Sequence, residues 1–266
     1  MVRVRALLVA SHPGPSLAIT AMVTVLAAEA APHGIGPVLT APAMLAGQLS
    51  VGWSNDACDA ALDKAAGRTD KPVARGEVTV RALWIAAVVS VLAALGPVSL
   101  VIDAAMTAVA WSYNLGLKST VWSGATYAVA FGLLPSFSAS ALPGNPLARW
   151  PVTIAAALLG LGAHFANVLP DLAADRETGV GGLPQRVAAR FGPAAVRAVA
   201  IVLLLAASVL LLIGATRLWV AIPGLIAAVL LAVLSARGTG RVPFYAAIGI
   251  AAVDILLFVA SGEALA

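Results

Sequence analysis

Residues 199–215, 219–236 and 243–260 are almost uninterruptedly apolar, and each approaches the roughly 20 residues that carry a helix across a bilayer core. Inside lipid every backbone N–H and C=O must be satisfied within the protein, so only helices and closed barrels can span it. A barrel strand alternates polar and apolar residues at period two, and these runs do not. The chain is 61% hydrophobic and only 11% charged, too little polar surface for a water-soluble domain of 266 residues. Ala, Val, Leu and Gly dominate, so the spans can approach closely through small residues. The expected fold is all-α, a polytopic membrane bundle forming a single domain over residues 1–266.

Cys58 is the only cysteine, so no internal disulfide is available. A pI near 9.7 invites a nucleic-acid reading. The basic residues lie in short segments between apolar spans, however, which is the signature of membrane topology and argues against a nucleic-acid partner. Arg3 and Arg5 precede an apolar run ending in Ala28-Glu29-Ala30, the outline of a signal peptide. That run is broken by His12-Pro13-Gly14-Pro15, and eight further spans need no such signal, so it is read as the first span.

With Pro, Gly and charge as punctuation, nine spans are expected, at about 15–31, 37–63, 79–96, 99–117, 121–140, 150–175, 193–215, 218–236 and 242–262. With the N-terminus in the cytoplasm, 14 of the 16 Lys and Arg fall on the cytoplasmic side, and only Arg149 and Arg217 fall outside. A shift of one helix would scramble that partition. The expectation is therefore a multi-pass protein of the cell membrane with its C-terminus outside.

The two longest cytoplasmic loops, 64–78 and 176–192, follow the second and sixth spans. An offset of 112 residues superimposes Asn55 on Asn167, Asp59 on Asp171 and Asp63 on Asp175, then Lys64 on Arg176, Gly67 on Gly179 and Pro72 on Pro184. Both copies read Asn-x3-Asp-x3-Asp-[Lys/Arg]-x2-Gly-x4-Pro. Two helices running the same way with the same motif imply parallel pseudo-repeats related by an axis along the membrane normal.

Acidic side chains within spans cost several kcal/mol unless paired or metal-bound, and are functional candidates for that reason. On a helical wheel Asp56, Asp59 and Asp63 fall within about 60°, with Asn55 beside them, and His164, Asn167, Asp171 and Asp175 within about 80°. Carboxylates at i and i+4 repel unless a cation lies between them, and an all-oxygen donor set suits Mg²⁺. Mg²⁺ held by few carboxylates completes its shell with water and phosphate oxygens, which suggests a phosphorylated ligand bridging the two helices. Arg68, Lys71 and Arg75 follow the first stripe, Arg176 follows the second, and Lys118 ends the fourth span with Tyr113 one turn above it. Cations there neutralise the charge that develops on a departing diphosphate. Each of these cations could instead be a topology anchor, a reading that weighs most for Arg75 and for Arg81.

The segment Asn55-Asp56-Ala57-Cys58-Asp59-Ala60-Ala61-Leu62-Asp63 resembles the NDxxDxxxD motif of the UbiA superfamily of intramembrane prenyltransferases. Asp171-Leu172-Ala173-Ala174-Asp175 resembles its second motif, DxxxD, and Gly179 to Pro184 the loop after it. The resemblance covers essentially the whole chain, nine helices included. It implies ionisation of an isoprenyl diphosphate with Mg²⁺, two ions being expected, and capture of the allylic cation by a small acceptor in a cavity open to lipid near the cytoplasmic face. It further implies metal ligation by Asp56, Asp59, Asp171 and Asp175. Diphosphate contact is expected from Asn55, Arg68, Lys71, Lys118 and Arg176, with Asp59, Asp171 and Lys118 as the catalytic set. Asp63 closes the first motif and is read as orienting Lys64 or Arg68. The family's Tyr-x3-Lys is not kept: Tyr113 and Lys118 are five apart, and Asn114 holds the spacing instead.

His164 and Asn167 are candidates for the acceptor pocket, a packing histidine being the alternative for His164. Asp254 lies mid-span, where a protonated state or a helix–helix hydrogen bond is the default. Asp103 and Glu29 are expected to face water at the outer interface. Trp53, Trp111, Trp122, Tyr127, Phe131 and Phe165 could stack on a prenyl cation or simply pack. Two rivals stand beside prenyl transfer. A cyclase would begin with the same ionisation, whereas a cation transporter would place its site near the midplane on interrupted helices.

Overall fold

A computed structural model describes residues 2–31, 33–95, 100–179, 181–261 and 264–266. Residues 96, 99 and 262, at the edges of expected spans, lie outside the described residues, as do Val180 in the second loop and the side chain of Arg3. The described residues form α-helices and one 3₁₀ turn, with no strand among them. They divide into two compact units, Met1–Leu115 with Ser140–Asn145, and Gly116–Ala139 with Pro146–Ala266.

The first unit holds α1 (Val2–Ala10), α2 (Pro13–Ala30), α3 (Gly36–Ala65), α4 (Val80–Ala94) and α5 (Leu100–Asn114). Helix α3 is its hub and packs against the other four. Thr79 caps α4, its Oγ1 accepting the Ala82 N–H at 3.1 Å. Around the C-terminal half of α3, buried Ala6, Ala10, Ala57, Val78 and Leu83 form a cluster with Leu7, Trp53, Val73 and Trp84 packed on it. That cluster ties the N-terminal helix and the loop after α3 to the helix that carries the first acidic motif.

The second unit holds the 3₁₀ turn Leu117–Ser119, then α6 (Ser123–Ala139), α7 (Trp150–Val168), α8 (Leu172–Thr178), α9 (Leu183–Phe191), α10 (Pro193–Gly214), α11 (Leu218–Arg237) and α12 (Val242–Ser261). Here α7 is the hub, against α6, α10 and α12. Thus in each unit the helix that leads into an acidic motif is also the best-packed one. Prolines open α7, α9 and α10, where the missing N–H is one that a helix start leaves unpaired anyway.

Small residues line the interior, among them Ala200, Ala207, Ala228, Ala232, Ala246 and Ala247, all buried. Large apolar side chains such as Ile213, Trp219, Leu230 and Leu256 point outward and are exposed, the arrangement that a hydrocarbon surrounding favours. Gly160 shows how tight the interior is. A Cβ there would lie 2.8 Å from the Tyr127 carbonyl oxygen and closer still to the Phe131 side chain. Gly160→Ala is therefore expected to destabilise the α6–α7 pair by about 1–3 kcal/mol, read as a lowered thermal midpoint in detergent.

Each of the nine expected spans coincides with a helix among the described residues, but five are long and apolar enough to cross a membrane by length and composition: α2, α7, α10, α11 and Val242–Ala260 of α12. Helices α4, α5 and α6 have 15, 15 and 17 residues, and α3 carries its acidic motif. Helix length and hydropathy thus support five crossings among the described residues. Two elements were not foreseen. Residues 2–10 are a helix of their own, and the second loop contains α9, whose Leu183, Val187 and Phe191 recur at helical spacing between Arg186 and Arg190.

The expected sixth span, 150–175, is not one helix. It ends at Val168, turns through Leu169–Pro170–Asp171 and restarts as α8. Pro170 has no N–H to continue the ladder, whereas its counterpart in the first repeat is Cys58, so α3 runs unbroken through its own motif. Likewise the fourth span ends at Asn114, and Lys118 sits in the 3₁₀ turn beyond Gly116, whose φ of 150° is open to glycine. Asp103 also departs from expectation: it is buried in the first turn of α5, where the helix dipole favours a carboxylate, while Glu29 is exposed as anticipated.

Candidate active site

In the first unit Asn55, Asp56, Asp59 and Asp63 all lie on the last turns of α3. Asn55 and Asp59 are half-buried, Asp63 is buried, and Asp56 is fully buried. Asp56 Oδ1 accepts from Lys71 Nζ at 2.6 Å and from His12 Nε2 at 2.8 Å. His12 Nε2 also lies 3.2 Å from Lys71 Nζ, so the three groups meet in one cluster. His12 was not singled out as a site residue in the sequence. Its only signal there was the His-Pro-Gly-Pro break, which proves to be the corner between α1 and α2.

Helix α3 ends at Gly67, which takes a left-handed φ of 64°, and the Arg68 N–H returns to the Asp63 carbonyl at 3.0 Å. Gly179 ends α8 in the same way, at φ 75°, with its N–H on the Asp175 carbonyl. The Gly-on-Gly match of the repeat is therefore a match of helix caps. The loop after α3 is held by its own ion pairs. Arg68 binds Asp70 through Nε and Nη2, both at 2.8 Å, and Arg75 binds Glu77 at 2.7 and 2.8 Å and also the Thr69 carbonyl. The Arg68 guanidinium holds the Asp70 carboxyl well below the usual carboxylate range. Arg75 does the same for Glu77 in direction.

In the second unit Asp171 is the residue before α8 and is exposed; its carboxylate does not cap that helix. Asp175 is half-buried and accepts from Gln185 Nε2 of α9 at 2.7 Å. Arg176 is exposed. Lys118 reaches the same region through its backbone. A Cβ on Gly182 would lie 2.5 Å from the Lys118 carbonyl oxygen, so the 3₁₀ turn rests on the glycine that opens α9. Gln185 and Ser123 were missed by sequence reasoning, and neither has a counterpart in the repeat to announce it.

Ser123 Oγ accepts the Leu183 N–H at 2.8 Å and pairs with His164 Nε2 at 3.1 Å, tying α6, α7 and α9 together. His164 is 1% exposed and stacks on Tyr127 with ring centroids 4.4 Å apart; Tyr127 in turn stacks on Phe131. Asn167 is half-buried one turn on. Of the other aromatic candidates, Phe165 is buried and Trp122 exposed. Trp53 donates to the Leu7 carbonyl at 2.8 Å, and Trp111 donates to Ser50 Oγ and meets Trp84 edge-on. Asn114, which stands four residues before Lys118, donates to the Val51 carbonyl and to Ser54 Oγ, so it braces α5 on α3.

The model of the UbiA prenyltransferase family matches residues 16–258. The chain belongs to the UbiA prenyltransferase family. Its fold is shared by a UbiA homologue from Archaeoglobus fulgidus bound to DMAPP and Mg²⁺, at TM-score 0.71 and 18% identity, covering 95% of this chain and 98% of that one. An apo UbiA homologue from Aeropyrum pernix K1 matches at TM-score 0.72 and 17% identity, over 91% and 97%. A structure described for digeranylgeranylglyceryl phosphate synthase matches at 0.69 and 12%, over 98% and 97%. No curated protein matches the sequence. The UbiA assignment makes this a multi-pass membrane protein, in keeping with its five long apolar helices.

The UbiA fold implies a divalent metal, and the residues present fit one. The donors are all oxygen, and Asp56 Oδ2 and Asp63 Oδ2 are each buried with no hydrogen-bond partner among the described residues. No three His, Cys, Asp or Glu side chains converge into a metal-holding group among the described residues. A shell drawn from one or two carboxylates and completed by phosphate and water is the way Mg²⁺ is ordinarily held.

Proposed function

We propose that this chain is an Mg²⁺-dependent intramembrane prenyltransferase that ionises an isoprenyl diphosphate and passes the prenyl group to a small aromatic or lipid-pathway acceptor. The observation that carries the reading is the repeated unit itself: an acidic motif at or just beyond the end of each hub helix, followed by a left-handed glycine cap and basic residues. The ligands of the Archaeoglobus homologue, DMAPP or GPP with Mg²⁺, match the chemistry such a unit offers. Bound Mg²⁺, with two ions proposed, would withdraw charge from the diphosphate and make it a leaving group.

The chain's own residues then divide the work. Asn55 and Asp59 in the first unit, and Asp171 and Asp175 in the second, offer the oxygen donors. Gln185 orients Asp175 by donating to it at 2.7 Å. Arg68, Lys118 and Arg176 neutralise phosphate oxygens as negative charge accumulates there. Arg68 would have to be shared with or released by Asp70, an exchange of one oxyanion for another. The face stacked around Tyr127 and Phe131, beside His164 and Asn167, is the proposed lining for the acceptor or the prenyl cation.

The test is a reaction of the protein in lipid nanodiscs with geranyl diphosphate and Mg²⁺, with and without an acceptor such as 4-hydroxybenzoate or a glyceryl phosphate. Acceptor-dependent diphosphate release that stops with EDTA is the expected result. Cyclised hydrocarbon formed without acceptor would replace transfer by cyclisation. Inertness toward diphosphates of every chain length, with ion flux lost in Asp59→Ala, would replace both by transport.

A further inference from the structure

Asp56 stands apart from the rest of the first motif in two independent ways. The 112-residue repeat pairs Asn55, Asp59 and Asp63 with Asn167, Asp171 and Asp175, but the counterpart of Asp56 is Val168. The second copy therefore carries no carboxylate at this position. Second, its Oδ1 is already shared by two cationic or proton-bearing groups, Lys71 Nζ at 2.6 Å and His12 Nε2 at 2.8 Å. The three side chains come from three separate segments: α3, the loop after it, and the corner between α1 and α2.

That convergence is built by backbone features as well as by charge. Gly52 lies one turn before Asp56 on α3, and a Cβ on it would fall 2.5 Å from the Ser11 carbonyl oxygen. The missing side chain is what lets the corner lie flat on α3, so that His12 reaches Asp56. His12 itself holds φ 53° and ψ 60°, a left-handed conformation that non-glycine residues adopt only where the surroundings enforce it. On the loop side, Val73 and Val78 join the apolar cluster with Ala6, Ala10 and Ala57. Lys71 is thereby delivered to Asp56 from a loop that leaves α3 before it and is anchored by Val73 and Val78 after it, with its side chain only 13% exposed.

We propose that Asp56, His12 and Lys71 form a three-segment clamp that positions the basic loop 66–79 for the diphosphate, with Asp56 acting as the loop's anchor and not as a metal ligand. His12 and Lys71 are positioning residues acting through Asp56. The ion pairs Arg68–Asp70 and Arg75–Glu77 shape the loop internally; the clamp sets where that preformed loop sits on α3. An unclamped loop would still carry Arg68, but the diphosphate would have to order it on binding. The inference rests on the diphosphate reading given above.

Two measurements on nanodisc-reconstituted protein test it, neither of them activity alone. Mn²⁺ binding is followed by electron paramagnetic resonance for wild type, Asp56→Asn, Lys71→Met and Asp59→Asn, and amide hydrogen exchange is followed over 66–79. Asp56→Asn and Lys71→Met should leave the Mn²⁺ dissociation constant within about twofold of wild type while speeding loop exchange about tenfold or more. The same two variants should raise KM for geranyl diphosphate about tenfold with kcat changed far less, and Lys71→Arg should restore much of the loss. Asp59→Asn should instead lose Mn²⁺ and keep the loop protected. If Asp56→Asn weakens Mn²⁺ as much as Asp59→Asn does, Asp56 is a metal ligand and the proposal falls. Unchanged loop exchange in both clamp variants also overturns it. Failure of wild-type protein to bind Mn²⁺ even with inorganic diphosphate would overturn the metal–diphosphate reading, while loop exchange would still decide whether the clamp exists.

Discussion

Asp59→Ala and Asp171→Ala, each alone, are expected to lower diphosphate release from an allylic diphosphate by about a hundredfold or more while the protein remains folded in the membrane. The expectation is large because charge accumulates on the leaving group in the transition state, and these carboxylates are proposed to fix the cations that meet it. Asp171 is the cleaner position. It is exposed and does not cap α8, so its removal should disturb little else. Asp175→Ala should be as inactive but less stable, since it strips the acceptor from Gln185 Nε2; a part-buried hydrogen bond of this kind contributes about 0.5–1.5 kcal/mol. Release of diphosphate measured by a coupled phosphate assay, alongside thermal unfolding in detergent, separates the two effects. Normal turnover in any two of the three variants would remove the metal-site assignment.

Gly52→Ala is expected to be strongly destabilising although glycine-to-alanine changes inside helices usually gain about 1 kcal/mol. The atoms that a new methyl would meet are the Ser11 carbonyl oxygen, carbonyl carbon and Cα at 2.5, 2.7 and 2.9 Å, all backbone, so no side chain can swing aside. Either α3 bends or the Ser11–His12 corner lifts away, at a cost of about 1–3 kcal/mol and with loss of the His12 contact to Asp56. Gly47 provides the internal control. It lies on the same helix with nothing within 4 Å of its Cβ position, so Gly47→Ala should be neutral or slightly stabilising. Opposite shifts in the thermal midpoint are the expected outcome; equal shifts would mean that the corner does not press on α3.

Much of the site was legible because the chemistry repeats. Asn, Asp, Gly and Pro recurring together at one offset located both acidic motifs, and the two glycines proved to be equivalent left-handed caps at Gly67 and Gly179. The repeat was less able to report where its copies differ. Proline at position 170 against cysteine at 58 interrupts one helix and not the other, so the stripe through His164, Asn167, Asp171 and Asp175 is split by a turn. Glycine at position 116 similarly moved Lys118 off the end of the fourth span. Both residues were visible in the sequence; the helical wheel, which assumes an unbroken helix, discounted them.

What the sequence by itself determined is the class of chain, its acidic motifs and its family, because hydropathy, charge placement and motif spacing are local properties that survive without knowledge of packing. Only the tertiary structure decided which carboxylates were already engaged. Asp56 and Asp59 share one face of the helical wheel, yet Asp56 is fully buried against His12 and Lys71, from 44 residues before and 15 after it, and Asp59 is half-buried. Such pairings depend on the close approach of separate segments, here allowed by a missing Cβ at Gly52. No periodicity along the chain encodes that distance.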